Sequence, residues 1–321
     1  MNGADIVDGR PPGDETQVRA LSRLRTLKRL RALGRLRAQV RYLRHHLAFR
    51  EQPLATTARL LDWRVKCFLG RDVRCRFRGG FTLILPPVWR GTAKLLFSYR
   101  DRFEPELRWV GQTLGPGDVF VDVGANLGVY TLAAARSVGR DGLVLAFEPS
   151  DQVYSYLRRS IGLNRCANVV STKLALSDKK GEARLYRSRI GSDSLENPRP
   201  DSDSLEGPGP DYDVVPTDTL DHVIASHDPE RIRCIKIDVE GAELSVLRGA
   251  AGTLRRYRPD IILEVNPDTQ RFGSDEIVAA LESFGYEFYR CDAAGGLTET
   301  VSPPGDGNLV AHVPDAIYRP G

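Results

Sequence analysis

No stretch of this 321-residue chain approaches the roughly 18 consecutive apolar residues that a membrane-spanning helix needs. The N-terminus also lacks the apolar core of a secretory signal. The five cysteines, Cys67, Cys75, Cys166, Cys234 and Cys291, include no C-x-x-C pair, which argues against a zinc knuckle or a dithiol redox motif. Thiols scattered in this way are expected to be reduced, and the chain reads as cytoplasmic. Histidine is scarce. His45 and His46 fall in a basic segment, His222 and His227 flank a surface-type helix, and only His312, ending the last strand, could neighbour a site at a sheet rim, with a packed or solvated histidine the expected reading. Acid is missing from residues 16–50, which hold eleven Lys and Arg. Residues 111–321 reverse the balance with 22 basic and 32 acidic residues, so the overall charge of +4 hides two halves of opposite sign. An acidic C-terminal part disfavours a nucleic-acid groove there, because duplex binding depends on phosphate neutralisation.

With 41% hydrophobic and 27% charged residues, what remains is the composition of a globular protein. Residues 1–15, rich in Gly, Pro and Asp, are expected to be disordered. A basic helix is expected over residues 16–50, from about Gln17 to Phe49. Its leucines at 21, 24, 27, 30, 33 and 36 drift around the cylinder, whereas Leu33, Leu36, Val40, Leu43 and Leu47 form a coherent face. Packing within the protein or on a partner helix is one reading of that helix, and peripheral contact with anionic lipid is the other. Residues 51–110 read as an appendage or lid whose V-R-C-R-F-R-G-G-F-T-L-I-L-P forms a strand pair turning at Gly79-Gly80.

From residue 111 onward strands alternate with helices. Strands are expected at Val119–Val123, Leu143–Phe147, Val169–Leu176, Ile232–Ile237, Ile261–Val265, Tyr286–Cys291 and Leu309–Val313. Helices are expected at Val129–Val138, Gln152–Leu163, Ala242–Arg256 and Ser274–Phe284. The alternation implies an α/β fold: a Rossmann-like, seven-stranded, mostly parallel sheet with helices on both faces and the last two strands as an antiparallel edge. A ten-residue tandem duplication, S-D-S-L-E-N-P-R-P-D at 192–201 and S-D-S-L-E-G-P-G-P-D at 202–211, lies in a loop spanning 190–211. Two copies are too few for a solenoid, so a lengthened flexible loop is expected, with a substrate cover as the alternative.

The most informative segment is G-D-V-F-V-D-V-G-A-N-L-G-V-Y-T at 117–131. A strand ends in Asp122, a tight turn holds Gly124 and Gly128, and a helix begins, which is the architecture of a nucleotide site. Dinucleotide folds place a second glycine where this chain has Asn126, leaving room for pyrophosphate. The bulkier Asn126 suits a ligand without one. Glu148 ends the next strand in L-V-L-A-F-E-P, where a carboxylate accepts hydrogen bonds from ribose hydroxyls. Asp238 and Glu240 in I-K-I-D-V-E-G-A-E, with Glu264 and Asn266 in I-I-L-E-V-N-P, place acids at the ends of two more apolar strands. Gathered at one rim, three carboxylates would raise at least one pKa unless a cation compensates. Asp238, Glu240 and Glu264 are therefore the candidate catalytic base and its neighbours. They are also candidate ligands for a divalent metal such as Mg2+.

These segments resemble the FkbM family of methyltransferases over about Asp118 to Phe288. The likeness is carried by V-D-V-G-A-N-L-G-V-Y-T, A-F-E-P, A-L-S-D-K-K-G, T-L-D at 219–221, K-I-D-V-E-G-A-E and V-L-R-G-A at 246–250. The resemblance implies a class I methyltransferase sheet, S-adenosylmethionine as methyl donor, and O-methylation of a sugar, glycan or secondary-metabolite hydroxyl. It further implies that Gly124, Asn126 and Gly128 line the methionine part of the cofactor, with Asp122 beneath. By the same likeness Glu148 holds the ribose, Ala175 or Leu176 flanks the adenine, and Asp238 lies close to the sulfonium and the acceptor. Two competing readings are a nicotinamide-dependent Rossmann oxidoreductase, and a nucleic-acid-directed or non-enzymatic binding protein using the basic helix. Asn126 and D-V-E-G disfavour the first. The absence of an N/D-P-P-Y/F segment and of a Pro-Cys nucleophile disfavours a nucleic-acid substrate.

Overall fold

The protein, analysed as a computed structural model, is described for residues 47–89, 91–186, 211–265, 274–300 and 307–314. It divides into two compact units, residues 1–53 and 54–321. In the first unit the described helix is α1 (Leu47–Glu51). The remainder of the expected basic helix lies outside the described residues, as do Asn266 and the duplicated segment up to residue 210.

The second unit begins within α2 (Pro53–Leu69). A hairpin of β1 (Val73–Arg76) and β2 (Thr82–Leu85) follows, closed by Phe77 N–H donating to Phe81 O at 2.9 Å, with Gly79-Gly80 at its turn as expected. Alternation buries Val73, Cys75 and Phe77 and exposes Arg74, Arg76 and Arg78. After α3 (Thr92–Tyr99) and α4 (Glu106–Thr113) the chain enters the main sheet. Its elements are β3 (Val119–Val123), α5 (Val129–Ser137), β4 (Leu143–Phe147), α6 (Asp151–Asn164) and β5 (Val169–Thr172). A smaller sheet interrupts, made of β6 (Ala175–Leu176), β7 (Gly181–Tyr186) and β8 (Tyr212–Asp218). The main sheet resumes through α7 (Leu220–His227), β9 (Cys234–Ile237), α8 (Glu243–Gly249), α9 (Ala251–Tyr257) and β10 (Asp260–Val265). It ends with α10 (Ser274–Glu282), β11 (Glu287–Cys291), β12 (Leu297–Glu299) and β13 (Gly307–His312).

Across the sheet the order is β12-β11-β13-β10-β9-β3-β4-β5. Strands β5, β4, β3, β9 and β10 are parallel, while β13 runs antiparallel to both β10 and β11. Six of the seven expected strands lie in this sheet, the remaining one, Val169–Leu176, only as far as Thr172, and β12 adds a short eighth. The order reverses between β3 and β9, the switch point where open α/β sheets place their ligands. This is the Rossmann-like class I methyltransferase architecture that the resemblance implied.

Period-two alternation decides what each face carries. Val119, Val121, Val123, Ile235, Ile237, Ile261 and Leu263 join a core with α7 to α10. Phe120, Val144, Cys234 and Ile262 join the opposite core, together with Trp63, Phe77, Leu83, Leu96 and Trp109 from the segment before the sheet. By the same parity Asp122, Lys236 and Glu264 belong to the face that this N-terminal segment covers.

Two expected elements are divided. The run Val169–Leu176 breaks after Thr172: β5 pairs with β4, but β6 leaves to pair with β8. The expected helix Ala242–Arg256 becomes α8 and α9, broken at Ala250. Gly249 stands at that break, where a Cβ would lie 2.0 Å from Ser177 O, so only glycine allows the helix to approach the β6–β7 turn.

Candidate functional site

The turn after β3 is built backwards onto β4. Phe147 O accepts from Gly124 N at 3.0 Å and from Ala125 N at 2.8 Å. Gly124 has φ 75, and a Cβ there would lie 1.9 Å from Asp238 O. The glycine turn and the D-V-E-G loop are thus in backbone contact at the switch point. Asn126 is also left-handed, with φ 50. Its N–H donates to Glu148 Oε2 at 2.9 Å, and its own Oδ1 accepts from Leu127 N at 2.9 Å. Glu148 Oε1 accepts from Ser150 N at 2.9 Å, so backbone donors hold both carboxylate oxygens.

An open cleft, about 620 Å³ counting its solvent-open mouth, lies here. Gly124, Asn126, Glu148, Ala175, Leu176, Asp238 and Glu240 all line it, joined by Val123, Pro149, Val153, Leu174, Leu185 and Val239. Asp122, expected beneath the cofactor, and Gly128, expected along its methionine part, are not among the residues that line it. Asp122 is wholly buried and accepts from Thr131 Oγ1 at 2.5 Å. Gly128 caps α5 with its α-carbon packed against Leu157.

The strand-end acids converge. Asp238, Glu240 and Glu264 each offer an oxygen within 4.8 Å of the other two. Lys236, buried in β9, donates from Nζ to Asp238 Oδ2 at 2.9 Å. Burial alone would raise the Asp238 carboxyl, but Lys236 and a hydrogen bond with Glu264 hold it below the usual carboxylate range. Burial, and then the charge of Asp238, push Glu264 up to about 9. At neutral pH the pair therefore shares one proton, resident on Glu264, and Asp238 is ionised. Lys236 is held protonated, because Asp238, Asp122 and Glu104 outweigh its burial. Both outcomes anticipated for clustered carboxylates occur together: one acid is neutral and a cation balances the other.

The network continues into the N-terminal segment. Lys236 Nζ lies 5.0 Å from the centroid of the Tyr130 ring. The Tyr130 hydroxyl donates to Glu104 Oε2 at 2.5 Å, and burial lifts Glu104 to about 7. Below the D-V-E-G loop, Glu243 Oε1 accepts from Gly241 N at 3.1 Å and Val239 N at 3.3 Å, fixing the loop in which Glu240 takes φ 52.

Lys236, Tyr130 and Glu104 were not singled out from the sequence. Lys236 had a signal: a charged residue inside the buried run C-I-K-I-D needs a partner of opposite sign. Glu104 had none, because nothing in the sequence places it beside β9. His312 is a packed histidine and not a neighbour of the site. Its Nδ1 meets Asp260 Oδ1 at 2.6 Å, at the amino end of β10 and so at the opposite rim from the acids. The antiparallel direction of β13 carries it there.

A family model for the methyltransferase FkbM domain matches residues 122–288. Methyltransferase sdnD of Sordaria araneosa is 29% identical over 195 residues, covering 53% of this chain and 74% of that protein. Methyltransferase 1 of Beauveria bassiana (strain ARSEF 2860) is 28% identical over 196 residues, covering 56% of this chain and 77% of its own length. Among solved structures, a methyltransferase FkbM from Methylobacillus flagellatus KT aligns with a TM-score of 0.40 and 14% identity over 68% of this chain. The chain spans about half of that solved protein, 53% of its length.

Proposed function

Because the chain belongs to the methyltransferase FkbM family, we propose that it binds S-adenosylmethionine in this cleft and methylates a hydroxyl oxygen of a sugar, glycan or secondary metabolite. One observation carries the reading: a single cleft is lined by the doubly anchored Glu148 and by Asp238, whose neighbour Glu264 stands outside that lining.

The donor set fits the cofactor. Glu148, with each oxygen taking one backbone N–H, keeps lone pairs for a ribose diol. Leu174, Ala175, Leu176 and Leu185 supply an apolar wall suited to a purine. Asp238 places negative charge where the methionine end and its cationic sulfur would lie. S-adenosylmethionine, when bound, supplies a methyl group on a positively charged sulfur. The protein's part is to align the acceptor with it, a contribution that reaches about 7–11 kcal/mol in favourable cases.

A hydroxyl becomes strongly acidic only as its oxygen gains the methyl group, so its proton leaves late. An ionised carboxylate with a low pKa is then a sufficient acceptor, and Asp238 takes that role. Glu264, already protonated, cannot take the proton. It donates to Asp238 and keeps that carboxylate oriented, while Lys236 keeps it charged.

The clustering of Asp238, Glu240 and Glu264 within 4.8 Å favours a second reading of the same chemistry. A divalent cation such as Mg2+, displacing the Glu264 proton, would acidify the hydroxyl directly. The charge of Lys236 already balances Asp238, so the metal-free arrangement is the one we favour.

The experiment is a calorimetric titration of the protein with S-adenosylmethionine and S-adenosylhomocysteine, with a nicotinamide dinucleotide as control. Binding of the first two at micromolar levels is expected. Binding of the dinucleotide alone would overturn the proposal.

A further inference from the structure

We infer that the outer face of α2 docks on a membrane surface containing anionic lipid. Leu54, Leu61, Val65 and Phe68 recur at intervals of seven, four and three and so form one stripe along the helix, with Leu69 beside it. Leu54 is 85% exposed and Phe68 84%. The opposite face already attaches the helix to its own unit. Trp63 and Cys67 are buried there, and Trp63 Nε1 donates to Val88 O at 2.8 Å. The exposed stripe is thus not needed to hold the helix in place. Seven of the twelve large apolar side chains exposed among the described residues lie between residues 54 and 89. Isolated exposed leucines mean little, but a contiguous stripe marks a binding surface.

Charge identifies the partner. Lys66, Arg71 and Arg74 line a hollow with Leu69 at the end of the stripe. The acid in that hollow, Asp72, is already engaged by the Tyr156 hydroxyl at 2.7 Å and Arg159 Nη2 at 2.6 Å. Among the described residues Arg64, Arg71 and Arg74 make no hydrogen bond or ion pair. An apolar stripe edged by unpaired cations matches acyl chains beneath a layer of phosphate headgroups. Trp89, next to the Val88 carbonyl that accepts from Trp63 and Cys67, is 60% exposed, and tryptophan favours the headgroup level. Pairing with a second copy through the same patch would bring a second set of these cations into one interface. None of these residues belongs to the basic segment 16–50, and the surface is independent of the methyl-transfer reading.

The test uses the full chain and vesicles of phosphatidylcholine and phosphatidylglycerol in equal amounts, with pure phosphatidylcholine as control. The three tryptophans make fluorescence specific, because Trp63 and Trp109 are buried and only Trp89 is exposed. Co-sedimentation with the mixed vesicles and a blue shift of the emission are expected. The double variant Leu61→Glu/Phe68→Glu should lose both, with partitioning at least about tenfold weaker, since two large apolar groups leave the interface. Arg71→Ser/Arg74→Ser should weaken binding to the mixed vesicles and reduce its salt sensitivity. Val214→Glu, an exposed substitution in β8, should bind like the unaltered protein. Undiminished sedimentation of Leu61→Glu/Phe68→Glu, or no blue shift, would overturn the inference and leave any lipid contact to another part of the chain. A dimer dispersed by Phe68→Glu, together with no vesicle binding, would overturn it in favour of self-association.

Discussion

The carbonyl oxygen of Asp238 occupies the space that a side chain on Gly124 would need, 1.9 Å from where its Cβ would stand. The β3 turn and the β9 loop are therefore interlocked through backbone, and the two sides of the cleft cannot move apart without breaking this contact. Gly124→Ala meets two obstacles: the clash, and φ 75, which L side chains rarely adopt. We expect a loss of about 2–4 kcal/mol in stability by denaturant titration, combining strain and overpacking. S-adenosylmethionine binding should fall with it. A variant as stable as the parent would show that the loop gives way freely.

Glu148 is held by two N–H groups, so its substitutions separate affinity from stability. Glu148→Ala should raise the dissociation constant for S-adenosylmethionine by about 10- to 150-fold, equivalent to about 1.5–3 kcal/mol for bonds to a charged acceptor. Glu148→Gln retains one oxygen and offers an amide NH2 to the other backbone donor, so one of Asn126 N and Ser150 N loses its acceptor. Its melting temperature should drop measurably. An unchanged dissociation constant in Glu148→Ala would remove the residue from the ribose site.

How much of this was legible follows from where each signal lay. The strands β3, β4, β9 and β10 are short apolar runs ending in acids, and their parallel order follows from the helices between them. Gly124, Glu148 and Asp238 were legible because each sits one residue beyond such a strand, Asn126 and Glu240 because each sits three beyond, and Glu264 because it directly follows the apolar run of β10. The small sheet was not. Strand β7 reads G-E-A-R-L-Y with only Leu185 fully buried, and β8 contains Pro216, so neither carries a buried-strand pattern. Burial of Trp63, Phe77 and Leu96 against Phe120 and Leu132 is a long-range contact that local pattern cannot encode. Glu104 reaches Tyr130 by the same route.

Glu243 should govern part of the pH dependence of stability. Burial raises its carboxyl to about 7 from an ordinary value of 4.5, and among the described residues Oε2 has no hydrogen-bond partner. The folded state therefore holds this proton between pH 4.5 and about 7 while the unfolded chain has released it. Stability from this group is fully present below pH 4.5, falls as pH rises to about 7, and is level above that. Glu243→Gln mimics the neutral acid and keeps an oxygen for Gly241 N. It should unfold at a higher temperature than the parent at pH 8, with the difference vanishing toward pH 4. Glu104 titrates in the same window in both proteins, so the difference between them isolates Glu243. Parallel melting curves at every pH would assign the slope elsewhere.

Asp238 and Glu264 should part company under conservative substitution. Asp238→Asn removes the proton acceptor and should lower turnover by about 10²–10⁴-fold while changing cofactor affinity far less. Glu264→Gln still donates a hydrogen bond to Asp238, as the protonated acid does, and should keep turnover within a few fold. In the parent, the Glu264 proton is lost as pH rises through about 9, placing a second negative charge beside Asp238. That ionisation should appear as a high-pH change in the rate profile, and Glu264→Gln should abolish it. A bound Mg2+ demands the reverse pattern, because both carboxylates would then be ligands. In that case Glu264→Gln would be as inactive as Asp238→Asn, and a chelator would silence the parent until Mg2+ is restored. Full turnover in Asp238→Asn, with the parent indifferent to chelator, would remove this cluster from the chemistry under both readings.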